Sequence, residues 1–211
     1  MPESLSVAAR IMDAAADVIV GDGFDAVSLA RVAQTAGVSE SQILAEFGSL
    51  DEALVLMLNR EFTSIYVSIV DNIERDPRGG LLSRIYYYTL TSVYERPLAK
   101  VLYTADRDAM NTIMRNANSF GYVPGVGIRS DFVEGMQRAG MVRRDIDAET
   151  VSHLLTIFSA GLALTAPHAD LDQIVRGVTD VLARAVDTEA RDTTAGKRVF
   201  FDWAMKLTQS R

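Results

Sequence analysis

Three short apolar patterns separated by glycine and serine occupy residues 9–54, and they constrain the fold more than any other feature of the chain. The first has the i, i+4, i+7, i+8 spacing of an amphipathic helix at Ile11, Ala15, Val18 and Ile19. Ser28 is a favourable N-cap for a second helix that ends before the turn residue Gly37, and Ser39 is one for a third helix. The predicted apolar face of the third helix consists of Ile43, Leu44 and Phe47. Two short helices joined by a glycine-containing turn predict a helix-turn-helix, whose second helix enters the major groove of DNA.

Three segments of this motif carry a family resemblance: residues 23–28 (GFDAVS), 32–39 (VAQTAGVS) and 47–54 (FGSLDEAL). Together they closely resemble the N-terminal domain of the tetracycline-repressor (TetR/AcrR) family. The remainder of the chain resembles that family in its length, its helical pattern and the order of its segments. The resemblance implies an all-helical homodimer that binds operator DNA and releases it when a small-molecule effector enters the C-terminal domain.

Helical periodicity continues beyond the motif, so the sequence predicts an all-α protein of two domains. The first is a three-helix helix-turn-helix domain over residues 1–50, and the second is a C-terminal helical ligand-binding and dimerisation domain over residues 51–211. Residues 51–75 form the predicted connector helix. Residues 76–80 (DPRGG) are the clearest break, because proline and paired glycines stop helices. Further helices are predicted over residues 81–94, 97–116, 128–139, 147–165 and 171–186.

The chain after residue 187 departs from the ending that is usual in the resembled family. Residues 188–196 are polar and are expected to be flexible. An extra amphipathic helix is predicted at about residues 197–208, with Phe200, Trp203 and Leu207 on one face. We expect this helix to dock on the body of the protein or on the partner subunit, and the less favoured alternative is an exposed helix that binds another protein.

The charge of the motif is unusual for a segment that binds DNA. Residues 1–60 contain three arginines and nine acidic residues, so they carry −6 of the chain's net charge of −7. Lys and Arg supply most of the non-specific affinity of proteins for DNA, because they neutralise phosphates. The side chains that can still contact DNA are Ser28, Arg31, Ser39, Glu40, Ser41 and Gln42. Gln42 can read adenine and Glu40 can accept from a cytosine amino group, but the same residues are equally consistent with a solvated helix face.

The predicted effector site is a set of aromatic and methionine side chains in the segments where the resembled family has its cavity. Ligand cavities are mainly apolar and include a few polar groups, which tyrosine and methionine provide. The set consists of Tyr66, Tyr87, Tyr94, Tyr103, Met110, Met114, Tyr122, Phe132 and Met136. For any one of these residues, an ordinary position in the hydrophobic core is the alternative.

The family resemblance also implies that the helices at 147–165 and 171–186 pair with their copies in a second subunit as a four-helix bundle. The first of these helices is apolar on several sides, which is more than one core face requires. The predicted interface consists of Leu155, Phe158, Leu162, Ile174, Val178 and Val181. The alternative is a fully buried core helix in a monomer.

The residues needed for catalysis or metal binding are scarce. The chain contains no cysteine, and its two histidines, His153 and His168, lack a metal-ligand spacing. We therefore predict no catalytic residues, no metal and no cofactor, and hence no enzyme. Nothing approaches the run of about 20 apolar residues that spans a bilayer, so no membrane partner is expected and a cytoplasmic location is predicted.

Two functions follow from these features. The first is a TetR-like, ligand-responsive DNA-binding transcriptional regulator, a repressor that a small apolar or aromatic ligand releases from its operator. The alternative is a protein of the same fold whose DNA-binding domain is degenerate, and which acts as a small-molecule-binding or protein-partner module.

Overall fold

The structure, a computed structural model, describes residues 6–104, 109, 112–113, 129–165 and 170–209, with side chains up to residue 205. Within these residues the regular structure is helical apart from one isolated bridge between Val142 and Asp187, so the predicted all-α class is confirmed. The helices are α1 (Val7–Asp22), α2 (Leu29–Ala36), α3 (Glu40–Phe47), α4 (Leu50–Arg75), α5 (Leu82–Tyr94), α6 (Pro97–Thr104), α7 (Ser130–Arg138), α8 (Ala148–Thr165), α9 (Leu171–Ala185) and α10 (Thr194–Gln209).

The described residues form two compact units. The N-terminal unit lies within Met1–Ser64 and Arg96–Gly121, and the C-terminal unit lies within Ile65–Glu95 and Tyr122–Arg211. The sequence puts the division at residue 50, whereas the packing groups the first half of α4 and all of α6 with α1, α2 and α3.

The N-terminal unit has an apolar core to which every one of its helices contributes. The four residues predicted to form the inner face of α1 are all buried. Helix α6, which follows α5 in the chain, packs against α1 and extends this core. The central core residues are Ile11, Ala15, Ile19, Val32, Ala33, Ile43, Phe47, Leu54, Leu58, Leu98 and Leu102.

In the C-terminal unit, α5 packs against α9, and α7 packs against α8 and α10. Tyr86 of α5 is buried, and its hydroxyl contacts the Ser159 hydroxyl at 2.8 Å and donates to the Leu155 carbonyl at 3.1 Å. Burial raises the pKa of Tyr86 to about 12, although the hydrogen bond with Ser159 lowers it. Tyr86 therefore links α5 to α8 as a neutral hydrogen-bonding group.

A buried carboxylate stabilises the start of α5. Leu81, the N-cap residue, has no side chain that can accept a hydrogen bond, so the cap comes from a remote part of the chain. Asp187 Oδ1 accepts from the Ser83 backbone N–H at 3.2 Å, and Asp187 Oδ2 accepts from the Ser83 hydroxyl. Both residues are buried. A carboxylate at the first turn of a helix satisfies free N–H groups and interacts favourably with the helix dipole.

The start of α10 packs against the turn between α4 and α5. The Thr193 hydroxyl donates to the Pro77 carbonyl at 2.9 Å and accepts from the Gly80 N–H at 3.3 Å. A methyl group at Gly196 would lie 2.0 Å from the Gly80 carbonyl oxygen, so the two backbones approach too closely for any side chain there. Buried Thr193 and Gly196 hold the end of the segment at 188–196, which the sequence predicts to be flexible. Helix α10 begins at Thr194 rather than at about 197, so its predicted start is wrong.

The other predicted helix boundaries agree to within two residues where the structure describes them. Helix α7 begins at Ser130 rather than at 128, and α6 ends at Thr104, beyond which part of the predicted helix at 97–116 lies outside the described residues. Helix α10 docks on the body of the C-terminal unit, as predicted, through Phe200. The side chain of Leu207, assigned to the same face, lies outside the described side chains.

Helix α4 corrects the expectation that no segment approaches the apolar length needed to span a bilayer. By length and composition it is apolar enough to cross a membrane, and it is the one such helix among the described residues. Its apolar side chains nevertheless have partners within the protein, since Leu54 and Leu58 lie in the core of the N-terminal unit and Ile69 and Ile73 are buried further along. These contacts are typical of a long core helix.

Candidate functional site

Helices α2 and α3 and the turn between them form a compact helix-turn-helix. Gly37 adopts the left-handed conformation with φ +65°, which glycine tolerates better than other residues. Its N–H and that of Val38 bond to carbonyls in the last turn of α2. Val32 and Ile43 are both fully buried on the facing sides of the two helices. The opposite side of α3 is thereby exposed to solvent.

The first turn of α3 contains a reciprocal capping box. The Gln42 N–H donates to Ser39 Oγ at 3.2 Å, and the Ser39 N–H donates to Gln42 Oε1 at 2.8 Å. The hydroxyls of Ser39 and Ser41 contact each other at 2.8 Å. Gln42 needs both Oε1 and Nε2 to read adenine, so that role would require opening the box. The Ser-x-x-Gln spacing is itself the signature of this box and is visible in the sequence.

The exposed residues of α3 are Glu40, Ser41, Gln42, Leu44, Ala45 and Glu46. Leu44 is 44% exposed, so its predicted place on the apolar face is wrong. It follows Ile43 by one residue and is rotated by about 100° around the helix, and Ile43 takes the inward position. In an eight-residue helix with Ile43 and Phe47 buried, the side chain of Leu44 faces outward.

Ion pairs reduce the positive charge that the motif can offer to phosphates. Arg31 Nη2 lies 2.7 Å from Asp22 Oδ2, and Arg60 Nη2 lies 2.5 Å from Asp13 Oδ1. Of the three arginines up to residue 60, Arg10 alone has no ion-pair partner among the described residues. The side chains of Arg31 and Asp22 are nearly half exposed, so solvent weakens their pairing and Arg31 can exchange Asp22 for a phosphate. Ser28, another predicted contact, caps α2 by accepting from the Arg31 N–H at 3.2 Å.

The structure brings only part of the predicted effector site together. Tyr66 and Phe132 both contact Phe200 of α10, with ring centroids 6.3 and 6.4 Å apart respectively. Met136 is buried on the same helix as Phe132, and Trp203 of α10 lies 5.1 Å from the Phe132 ring. Sequence reasoning did not assign Phe200 or Trp203 to this site, although it placed both on the inner face of the last helix.

Two other predicted effector residues that the structure describes lie apart from this group. Tyr103 packs against the core of the N-terminal unit, whereas Tyr94 lies at the end of α5 in the C-terminal unit. Three more, Met110, Met114 and Tyr122, lie outside the described residues.

Tyr87 belongs to a polar cluster at the turn between α4 and α5. The Arg84 guanidinium lies over the rings of Tyr87 and Tyr88, 5.2 and 5.0 Å from their centroids. Asp76 Oδ2 accepts from Arg84 Nε at 2.6 Å and from the Tyr88 hydroxyl at 2.9 Å. Burial alone would raise the pKa of Asp76, but the hydrogen bonds from the Arg78 N–H, Arg84 and Tyr88 hold it below its ordinary value.

The predicted dimer residues separate into two groups. Leu155 and Leu162 are buried within the single chain, while Phe158, Ile174 and Val178 are partly exposed and Val181 is 57% exposed. The outward side of α8 instead presents Leu154, Ile157 and Leu164, which are 43%, 63% and 71% exposed. The sequence of α8 is apolar on several sides, which predicted an exposed apolar face. The sequence did not show which residues form that face.

The chemistry of a metal site is lacking in the part of the chain that the structure describes, where no group of three or more His, Cys, Asp or Glu side chains could hold an ion. His153 is exposed on α8, and His168 lies outside the described residues.

Comparisons with known proteins connect this geometry to a family. A family model described as bacterial regulatory proteins, tetR family, matches residues 11–54, which include α2, the turn and α3. No curated protein matches the chain. Among solved structures, the TetR family protein CprB from S. coelicolor A3(2) is similar with a TM-score of 0.61 and 17% identity, over 97% of this chain and 99% of that one.

Two further structures are similar over most of their length. The fatty acid degradation regulator FadR from Bacillus halodurans has a TM-score of 0.59 and 14% identity, over 87% of this chain and 97% of that one. A gamma-butyrolactone receptor described as ArpA-like has a TM-score of 0.55 and 16% identity, over 93% of this chain and 97% of that one. At these identities the likeness concerns the fold.

Proposed function

Because residues 11–54 match the family model described as bacterial regulatory proteins, tetR family, we propose that this chain is a ligand-responsive, DNA-binding transcriptional regulator that acts as a repressor. The observation that carries the proposal is the helix-turn-helix, which has a buried inner face and a capped, exposed α3. An exposed helix of this kind is what a helix-turn-helix protein inserts into the major groove. The predicted cytoplasmic location fits such a protein and is part of the proposal.

The proposed active form is a homodimer formed through α8 and α9. The exposed apolar residues Leu154, Ile157 and Leu164 on α8 and Val181 on α9 support this, because apolar residues clustered on one face favour association. Glycines at 161 and 177 are exposed on the same helices and allow close helix packing. Sedimentation of wild type and Ile157→Glu tests the dimer, with Val67→Glu, a similarly exposed position on α4, as the control. A monomeric wild type at micromolar concentration would contradict it.

The proposed effector is a small apolar or aromatic molecule that binds in the C-terminal unit. Support comes from the aromatic side chains of Tyr66, Phe132 and Trp203 around Phe200, and from the similarity of the fold to a protein described as a gamma-butyrolactone receptor. Effector binding lowers operator affinity if it favours a dimer conformation with the two recognition helices wrongly spaced for DNA.

One observation favours a second function, in which the fold is kept but DNA is not bound. The segment up to residue 60 has a net charge of −6, and two of its three arginines are paired with acids. In that case the N-terminal unit serves as a protein-partner module, or the protein acts through small-molecule binding alone.

Binding to the DNA upstream of its own gene separates these functions. Affinity is measured at low and moderate salt for wild type and for the double variant S41A/Q42A. The variant also loses part of the α3 cap, so Ser6→Ala, which removes the cap of α1, is the matched control for lost stability. Specific binding by wild type and S6A but not by S41A/Q42A supports the regulator. Absence of specific binding even at low salt would refute the regulator, because contacts between arginine side chains and phosphates are strongest there.

A further inference from the structure

Four side chains of α3 are exposed and outside the cap network: Glu40, Leu44, Ala45 and Glu46. Glu40 and Leu44 are both exposed, and they lie one helical turn apart in the first half of the helix, whose N-terminal residues contact base edges in helix-turn-helix proteins. Neither side chain is used in holding α3 to the rest of the N-terminal unit, which relies on buried Ile43 and Phe47.

The neighbouring polar side chains are engaged with one another. Ser39 and Ser41 share a hydrogen bond, and Gln42 Oε1 accepts from the Ser39 N–H. Opening this network would cost the capping energy of the helix. Ala45 has a short side chain and Glu46 lies in the last turn of α3. The groups best placed to meet base edges without that cost are therefore the Glu40 carboxylate, which only accepts hydrogen bonds, and the apolar Leu44 side chain.

The major groove offers few partners to a carboxylate. Guanine presents two acceptors and thymine one, which repel it, and adenine presents an acceptor beside its amino group. Cytosine presents its amino group alone, so it is the base that fits Glu40. An apolar side chain in the groove gains most from the thymine methyl group. The helical turn that separates the two residues rises about 5.4 Å, and base pairs stack about 3.4 Å apart, so the two contacts fall on neighbouring or next-neighbouring base pairs.

We propose that Glu40 and Leu44 determine the operator preference of this protein: Glu40 selects a cytosine, and Leu44 selects a thymine one or two base pairs away. This inference rests on the proposed function as a DNA-binding regulator and specifies which bases its operator contains. It also gives the acidic α3 a role in recognition, since a negative charge that opposes binding to phosphates favours one base over the other three.

The test is selection of duplexes from a random pool by the full-length protein at about 50 mM salt. Four proteins are compared: wild type, Glu40→Gln, Leu44→Ala and the control Glu46→Gln. Glu46 is exposed on the same helix, so its substitution removes the same charge without changing Glu40. Wild type is also measured on its selected duplex with deoxyuridine in place of the proposed thymine, which removes only the methyl group.

We expect one cytosine in each wild-type half-site to become adenine in the Glu40→Gln selection, because glutamine pairs with adenine. The wild-type cytosine duplex should bind Glu40→Gln on the order of 10-fold more weakly than it binds wild type. Glu46→Gln should keep the wild-type preference and bind all duplexes more tightly. Deoxyuridine should weaken the binding of wild type but not of Leu44→Ala.

If Glu40→Gln selects the same bases as wild type, the role of Glu40 is refuted while the regulator stands. If deoxyuridine leaves wild-type affinity unchanged, the role of Leu44 is refuted. If wild type enriches no sequence, the proposed function fails and this inference fails with it. Because all three substituted positions are exposed, closely similar unfolding transitions for the four proteins should accompany these results.

Discussion

The two units differ in what they bury. In the N-terminal unit, every buried residue that the structure describes is apolar, and the polar side chains that define its helices lie at the surface. Where the structure describes it, the C-terminal unit buries six polar side chains: Ser83, Ser92, Ser159, Thr179, Asp187 and Thr193. Several of these bond to residues far away in the chain, with Ser83 and Asp187 separated by 104 positions and Gly80 and Thr193 by 113.

The two units are therefore stabilised by different kinds of interaction. In the N-terminal unit, helix caps join residues three positions apart, and apolar periodicity defines the core. In the C-terminal unit, a helix start and a loop end depend on buried groups that only the folded chain brings together. Substitutions at those groups should therefore cost more than substitutions at the caps of α2 and α3.

The largest effect is expected at the close approach of the backbones of Gly80 and Gly196. Gly196→Ala places a methyl group 2.0 Å from a backbone oxygen, so the two segments must separate. We expect a loss of about 3 kcal/mol in the free energy of unfolding, measured by chemical denaturation. Gly21→Ala in α1 is the control, since nothing lies within 4 Å of the added methyl group there. Gly21→Ala should stabilise the protein by up to about 1 kcal/mol. Similar effects of the two substitutions on the free energy of unfolding would contradict the expected difference between the units.

Ser83→Ala should have the next largest effect, because it removes a hydroxyl that donates to the buried Asp187 carboxylate. We expect a loss of about 2 kcal/mol at neutral pH. Ser92→Ala removes a buried hydroxyl from the same helix, where the partner is the neutral Ser68 hydroxyl at 3.4 Å, and should cost less. Equal losses would contradict a special role for the carboxylate.

The same carboxylate gives a pH prediction. Burial raises the pKa of Asp187 above its ordinary value, although the hydrogen bonds from Ser83 lower it. The folded state therefore binds this proton at a higher pH than the unfolded state, and the free energy of unfolding gains from this group as pH falls through the raised pKa. Asp187→Asn should lack that gain. The measurement is the difference between the two unfolding curves as a function of pH, and a constant difference would refute the prediction.

A smaller effect is expected at the cap of α3 in the N-terminal unit. Ser39→Ala removes the acceptor for the Gln42 N–H and should cost about 1 kcal/mol. Ser39→Asp restores an acceptor at the N-cap and should recover most of that loss, as measured by thermal unfolding. A loss larger than that of Ser83→Ala would reverse the comparison between the units.

The smallest effect on stability is expected at the exposed ion pair of Arg31 and Asp22. Asp22→Asn should change the free energy of unfolding by less than about 0.5 kcal/mol, because solvent screens the pair. It also releases Arg31, so non-specific DNA binding at low salt should become tighter. Asp25→Asn removes the same charge at another exposed position and leaves the pair intact. Equal gains in DNA affinity for both variants would show that net charge alone matters.

The difference between the units also explains which sequence predictions succeeded. The caps at Ser28 and Ser39 and the turn at Gly37 were predictable because they depend on nearby residues. The start of α10 was predicted too late, since a glycine and polar residues read as a loop until the contact of Gly196 with Gly80 is known. On α8, which is apolar on several sides, the sequence could not determine whether Leu155 or Leu154 faces inward, because that depends on the position of Tyr86 on α5.

The salt dependence of operator binding tests most directly the central claim that α3 reads DNA with few phosphate contacts. With Arg10 and a released Arg31 as the arginines of α1 and α2, the affinity of a dimer should fall by only about 10- to 100-fold between about 50 and 200 mM salt. Sequence-specific binding with this shallow dependence is the result that the account predicts. A fall of about 10⁴-fold or more, or the absence of sequence-specific binding at the lower salt concentration, would contradict it.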